Sequence, residues 1–176
     1  MDVLEAIRRR REITSFAPVE IPAEALERLE EALYLAPAGN NLPSREFVIV
    51  QDRSTLKALA QTTPYMKWME RAAAGVVVIA DPALSKYWLQ DASIAGAFLW
   101  LAAESLGLGA AWGAVYHAED AEESRKREAH VRGLLNIPER YRVVAGIGLG
   151  YPAVRPGPKE MYPRERVLHR ETFQAF

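Results

Sequence analysis

The chain has 176 residues, 49% hydrophobic and 26% charged, with 22 basic against 23 acidic residues and a net charge of −1. That balance fits one compact domain able to bury a sizeable core. It excludes long disorder and fibrous repeats and gives no global attraction to nucleic acid or an anionic membrane. No cysteine is present, which excludes thiolate catalysis, iron–sulfur ligation, cysteine zinc sites and disulfides.

The first residues carry acids and no apolar signal-type core, so no signal peptide is expected and the expected location is cytoplasmic. Asp2 and Glu5 have the spacing of a capping box and open a short helix through Val3, Leu4 and Ile7 into the run Arg8-Arg9-Arg10-Arg11. Phe16-Ala17-Pro18 breaks it. Ile21-Pro22 opens a second helix with Leu26, Leu29, Leu33 and Ala36 on one face, ended by Pro37. Residues 38–44 are rich in turn formers and read as a loop. Phe47-Val48-Ile49-Val50 reads as a strand, and Ser54 is placed to cap a short helix through Leu56 and Leu59.

Residues 66–71 have no clear pattern and read as a mobile helical turn. Residues 75–80 form a second strand, apolar on both faces and therefore interior. Asp91 opens the most apolar helix, residues 92–103, too short to span a bilayer. Being apolar all round, it must be covered on every side, and a second copy of the chain is expected to cover one face. Gly107 ends it. Residues 110–115 read as a strand, 121–135 as an exposed charged helix, and 142–149 as another buried strand. Beyond Tyr151-Pro152 the chain is irregular, with prolines at 152, 156, 158 and 163. Two helices precede the first strand, so the pattern reads as α+β or α/β around a central sheet.

Several chemistries are absent. There is no phosphate-binding P-loop, no His-Glu-x-x-His and no Gly-x-Ser-x-Gly elbow. His117, His130 and His169 are far apart in sequence, and no metal site is expected. Gly146-x-Gly148-x-Gly150 runs into Tyr151-Pro152 instead of a helix, so it lacks the context of a dinucleotide fingerprint. Three segments remain. The arginine run followed by Glu12-Ile13-Thr14 is either a solvated helix end or a set of guanidinium groups gripping a phosphate. The loop from Pro37 to Ser44 is either a plain connection or a ring of amides, with Asn41, around a polar heterocycle. The small residues around Trp112 allow either tight packing or close approach of a flat ligand.

Taken in order, these pieces resemble the FMN-dependent nitroreductase family. The resemblance is carried by the arginine-rich helix end with Phe16, then Ala36-Pro37-Ala38-Gly39-Asn40-Asn41-Leu42 before Glu46-Phe47-Val48-Ile49-Val50. Asp91-Ala92-Ser93-Ile94-Ala95 and Leu106-Gly107-Leu108-Gly109 with Trp112 follow, and Leu135-Asn136-Ile137-Pro138-Glu139 and Gly148-Leu149-Gly150-Tyr151-Pro152 complete it. The match is collinear from about Leu4 to His169.

The resemblance implies an α+β homodimer, a mainly antiparallel central sheet flanked by helices, with FMN bound between subunits. It implies a single domain over 1–176 whose tail, 151–176, wraps the partner subunit. NADH or NADPH would reduce the flavin, which would pass electrons to a small planar acceptor such as a nitro-aromatic or quinone. The chemistry would be borne by the flavin, with no catalytic side chain, metal, nucleic acid or membrane involved. By position, Arg10, Arg11, Glu12 and Thr14 match contacts to phosphate and ribityl. Pro37, Ala38, Gly39 and Asn41 match the loop reaching the other subunit's flavin, and Trp112, Gly113 and Ala114 match the backbone beside its reactive edge. Lys159 matches the late basic residue, and Lys67 is a candidate cation near the ring's carbonyl edge. Tyr65, Trp68 and Tyr116 are candidates to stack on substrate. Glu12, Thr14, Met161 and the run Pro43-Ser44-Arg45 depart from the family pattern. Glu12, Thr14 and Met161 motivate an alternative, a cofactor-poor or catalytically silent binding protein on the same scaffold.

Overall fold

The computed structural model describes residues 1–175. Phe176, counted above with the tail, lies outside the described residues. Four strands, β1 (Arg45–Val50), β2 (Ala74–Ala80), β3 (Gly109–Ala114) and β4 (Arg142–Gly150), form one sheet in the order β1-β2-β4-β3. Every neighbouring pair is antiparallel, which decides for α+β. β2 and β4 are the inner strands, which explains their unbroken apolar runs: each side chain, on either face, meets a covering layer.

Alternation along β2 divides the core into two layers. Val76 and Val78 face α2 (Ala23–Tyr34) and α4 (Trp88–Ser105), where Leu29, Leu33, Ala95 and Leu99 are buried. Val77 and Ile79 face α3 (Arg53–Leu59) and the layer that holds α5 (Ala121–Leu135). α1 (Val3–Arg9) packs on α4. Among the described residues, no helix is long and apolar enough to cross a membrane.

Local expectations hold at several ends and fail at others. Asp2 caps α1 as expected, its carboxylate accepting from Glu5 N–H at 2.8 Å. α3 is capped by Asp52 and not by Ser54. The Asp52 carboxylate accepts from Thr55 N–H at 2.7 Å and takes the Ser54 and Thr55 hydroxyls as well, a stronger set than one serine hydroxyl offers. α4 starts at Trp88, which leaves Asp91 inside its first turn. Residues 64–71 form a 3-10 helix with Met66 and Met69 buried beneath the sheet, so this segment belongs to the core.

α5 is polar outside but not wholly exposed. Glu128 is 1% exposed and binds Arg132, Arg142, Ser124 and the Val143 N–H. Along α4, Ile94 and Phe98 are 41% and 42% exposed, so this chain leaves one apolar face of its central helix uncovered.

Candidate active site

At the end of α1 the chain turns extended at Arg10, and its carbonyls are collected by one side chain. Arg11 Nη1 donates to the carbonyls of Arg8, Arg9 and Arg10 at 2.9, 3.2 and 2.8 Å. A cation thus closes the negative end of the helix. Arg11 Nε reaches Gly157 O at 3.0 Å, which ties the tail to the same place. Trp100, on α4, donates its indole N–H to Arg11 O at 3.2 Å, and its ring lies 4.7 Å from the Arg10 guanidinium. The Arg10 guanidinium makes no hydrogen bond to a protein acceptor among the described residues, so its donors remain available.

These residues, with Glu12, Lys159, Ile7, Ala97 and Leu101, line a cleft of about 540 Å³. Three cations and one carboxylate leave it a net charge of about +2, and a forked guanidinium beside a second cation suits a phosphate group.

The next residues lean on the sheet edge. Ile13 N–H donates to Ala110 O at 3.0 Å, a parallel bridge that lays residues 12–13 along β3. Gly109 is required there, since a Cβ would lie 2.5 Å from Ile13. Trp112 N–H points at Glu12 Oε1, 3.4 Å away. Alternation places the backbone groups of Ala110, Trp112 and Ala114 on this free edge, whereas Gly113 faces β4. Ala114 O accepts from Arg127 Nη1 of α5 at 3.3 Å. Two glycines set the strand's depth: a Cβ on Gly96 would meet the Trp112 ring at 2.3 Å, and one on Gly113 would meet Met66 at 2.4 Å.

A sequence model of the nitroreductase family matches residues 57–151, more than half of the chain. The chain belongs to the nitroreductase family. A "Putative NADH dehydrogenase/NAD(P)H nitroreductase" of Methanothermobacter thermautotrophicus is 36% identical over 170 residues, 95% of this chain and 86% of that protein. Among solved structures, an FMN-dependent nitroreductase from Clostridium difficile R20291 superposes with a TM-score of 0.87 at 28% identity, over 97% of this chain and 99% of the other. The NADPH:FMN oxidoreductase of Vibrio harveyi, solved with NAD+, gives 0.83 at 26% identity, over 99% and 79%.

Within one chain of this nitroreductase, the residues singled out in the sequence fall in three places. Arg10, Arg11, Glu12 and Lys159 share the cleft, with Trp112, Gly113 and Ala114 on the adjoining edge and Thr14 exposed just beyond Ile13. Pro37 and Asn41 line a different cleft, with Tyr34, Arg45 and Phe47. That loop is fastened by Asp91, whose buried carboxylate accepts from Gly39 N–H at 2.9 Å and from the hydroxyls of Ser44 and Ser85. Gly39 is needed against Tyr87, and Asn40 and Asn41 both take a left-handed backbone that asparagine tolerates. Ala38 joins this loop to α2. Lys67 is exposed on the 3-10 segment, next to the Met66 that underlies Gly113.

Of the aromatic residues offered for stacking, Trp68 packs against Gly148, and Tyr116 lies edge-on to Trp88 at 5.3 Å with Arg142 over its ring. Both are half-buried, Trp68 against the core layer beneath the sheet. Tyr65 is exposed. Trp100 and Arg127 escape a reading by motif; the one signal is a tryptophan amid the small residues of α4. No group of three or more metal-binding side chains is found among the described residues.

Proposed function

We propose that this chain is an FMN-dependent NAD(P)H oxidoreductase that passes electrons to a small planar acceptor, a nitro-aromatic or a quinone, and that it works as a homodimer. One observation carries the reading: Arg10, Arg11 and Lys159 converge on a cleft beside the free edge of β3. The donor set fits a flavin phosphate. The named FMN and NADPH use of the Clostridium and Vibrio relatives supports the same cofactors here.

When bound, FMN supplies the redox chemistry, taking a hydride from NAD(P)H and releasing electrons to the acceptor. The protein's part is binding and orientation. Arg10, backed by Trp100, and Lys159 hold the phosphate, and Arg11 stiffens the turn that presents them. The outward N–H of Ala114 offers a donor along the free edge, where an aromatic ring system can lie flat against small residues. Thr14, exposed beyond Ile13, and Lys67, exposed beside Met66, are assigned as further polar contacts.

Pro37, Ala38, Gly39 and Asn41 belong to the loop fastened to α4 by Asp91, and Pro37 and Asn41 line a cleft that Arg10 and Lys159 do not line. We assign them to the twin subunit's flavin. The bare apolar face at Ile94 and Phe98, together with the exposed Met161, Tyr162, Leu168 and Phe173 of the tail, supports pairing of two copies. Glu12, which with Thr14 and Met161 is the ground for a cofactor-poor alternative, directs its carboxylate to the Trp112 amide.

The deciding experiment is the visible spectrum of the purified protein. A yellow protein whose flavin bleaches anaerobically with NADH or NADPH is expected. Colourless protein that takes up no added FMN overturns the proposal.

A further inference from the structure

The geometry points to Glu104 as a positioning residue that assembles both walls of the cationic cleft without lining it. Glu104 lies near the end of α4 and is 2% exposed. It holds two arginines from opposite ends of the chain. Arg9 Nε is 3.4 Å from its Oε1, and Arg155 Nη1 is 3.0 and 3.1 Å from its two oxygens.

Each arm leads directly to the cleft. Arg9 immediately precedes Arg10 and Arg11. Arg155 lies within an extended strap whose alternate residues are all engaged. Tyr151 O accepts from Ala17 N–H at 2.8 Å, and Ala153 N–H donates to Ser15 O at 2.9 Å. Arg155 takes Glu104 and also Gly107 O at 3.3 Å, and Gly157 O takes Arg11. Lys159, next in this alternation, lines the cleft and makes no ion pair or hydrogen bond among the described residues.

The strap therefore delivers a lysine to the anion side, and Glu104 fixes the strap. Because Glu104 is itself paired with Arg9 and Arg155 outside the cleft, its own charge does not oppose an anion inside it. Arg10, Arg11 and Lys159 keep theirs for the ligand.

This inference rests on the reading of the cleft as a flavin-phosphate site, and the test separates the two. FMN and riboflavin, which lacks the phosphate, are titrated by flavin fluorescence into the native protein and into Glu104→Gln, Arg155→Gln, Lys159→Ala and the Glu104→Gln/Lys159→Ala pair. Glu104→Gln and Arg155→Gln are each expected to weaken FMN about tenfold, the value of one charge-assisted contact, with riboflavin changed by less than about twofold. Lys159→Ala is expected to cost about as much alone and almost nothing on the Glu104→Gln background.

Arg9 and Arg155 are 49% and 39% exposed in their side chains, so water can take over when Glu104 is neutralised. Arg155→Gln, which leaves the acid with one partner, serves as the second variant if Glu104→Gln folds poorly. Equal losses for FMN and riboflavin, unchanged FMN binding, or additive effects in the pair overturn the inference while the flavin site stands. Native protein that binds neither flavin removes both.

Discussion

The Glu12 carboxylate and the Trp112 amide meet across the open edge of the sheet, with Oε1 3.4 Å from the nitrogen. The acid thereby extends the strand pairing begun by Ile13 and Ala110, and it also lines the cleft that gathers Arg10, Arg11 and Lys159. These two roles oppose one another when an anion binds.

Replacing the charge while keeping the acceptor separates them. Glu12→Gln is expected to tighten FMN about fivefold, the effect of removing a nearby like charge of about 1 kcal/mol, and to leave riboflavin binding unchanged. Equilibrium titration with both flavins measures this. An unchanged FMN constant places the carboxylate too far from the phosphate to matter.

Gly113 offers a packing test. A Cβ there would press on Met66 at 2.4 Å, so Gly113→Ala is expected to cost about 2 kcal/mol of stability. Met66→Ala opens a cavity and costs about 3 kcal/mol alone. The double variant is expected to lose clearly less than the sum, because the added methyl enters the vacated space. Urea unfolding of the three proteins gives the coupling.

Glu128 predicts the acid limb of the stability curve. Burial raises its carboxyl, but hydrogen bonds from Arg142, the Val143 N–H and Ser124 outweigh burial and hold it below the usual 4.5. A carboxylate depressed in the folded state adds stability above its unfolded value, and the gain is lost as pH falls through the lower folded value. Glu128→Gln is therefore expected to cost about 3 kcal/mol near neutral pH and to flatten the decline below about pH 4.5. The Asp52 cap, held at about 2 by Ser54 and Thr55, titrates later and is common to both proteins. Thermal melts from pH 7 to pH 3 compare them.

The bare face of α4 makes a prediction about assembly. Phe98→Asp is expected to yield a folded monomer that loses its flavin, since one chain supplies only part of the proposed pocket. Sedimentation velocity at micromolar concentration, read at the protein and flavin wavelengths, follows both at once. A flavin-loaded dimer of Phe98→Asp removes this face from the interface.

Local signals in the sequence led to local structure. The Asp2 cap and the apolar runs of β2 and β4 are written in neighbouring residues, and so are the turn formers after Pro37, although distant Asp91 fastens that loop. What escaped depends on distant ones. Residues 64–71 carry no clean period, and they become core only because glycines at 75, 113 and 146 leave room for Met66 and Met69. Asp52 and Ser54 are both good caps two positions apart, and only the geometry of Thr55 chooses between them. Around the cleft, Arg10, Arg11 and Lys159 were legible through the family likeness. Trp100 was not, because its partners lie some ninety positions away, and nothing in the sequence around Glu104 points to Arg9 and Arg155 as its partners.

The strap from Tyr151 to Lys159 also bears on how the molecule opens. With α1 and the strap both braced on one buried acid and tied directly through Arg11 and Gly157, loosening either one weakens the hold on the other. Hydrogen–deuterium exchange should then report matching protection for the amides of Arg10 and Ala153, so that both segments detach as one cooperative unit.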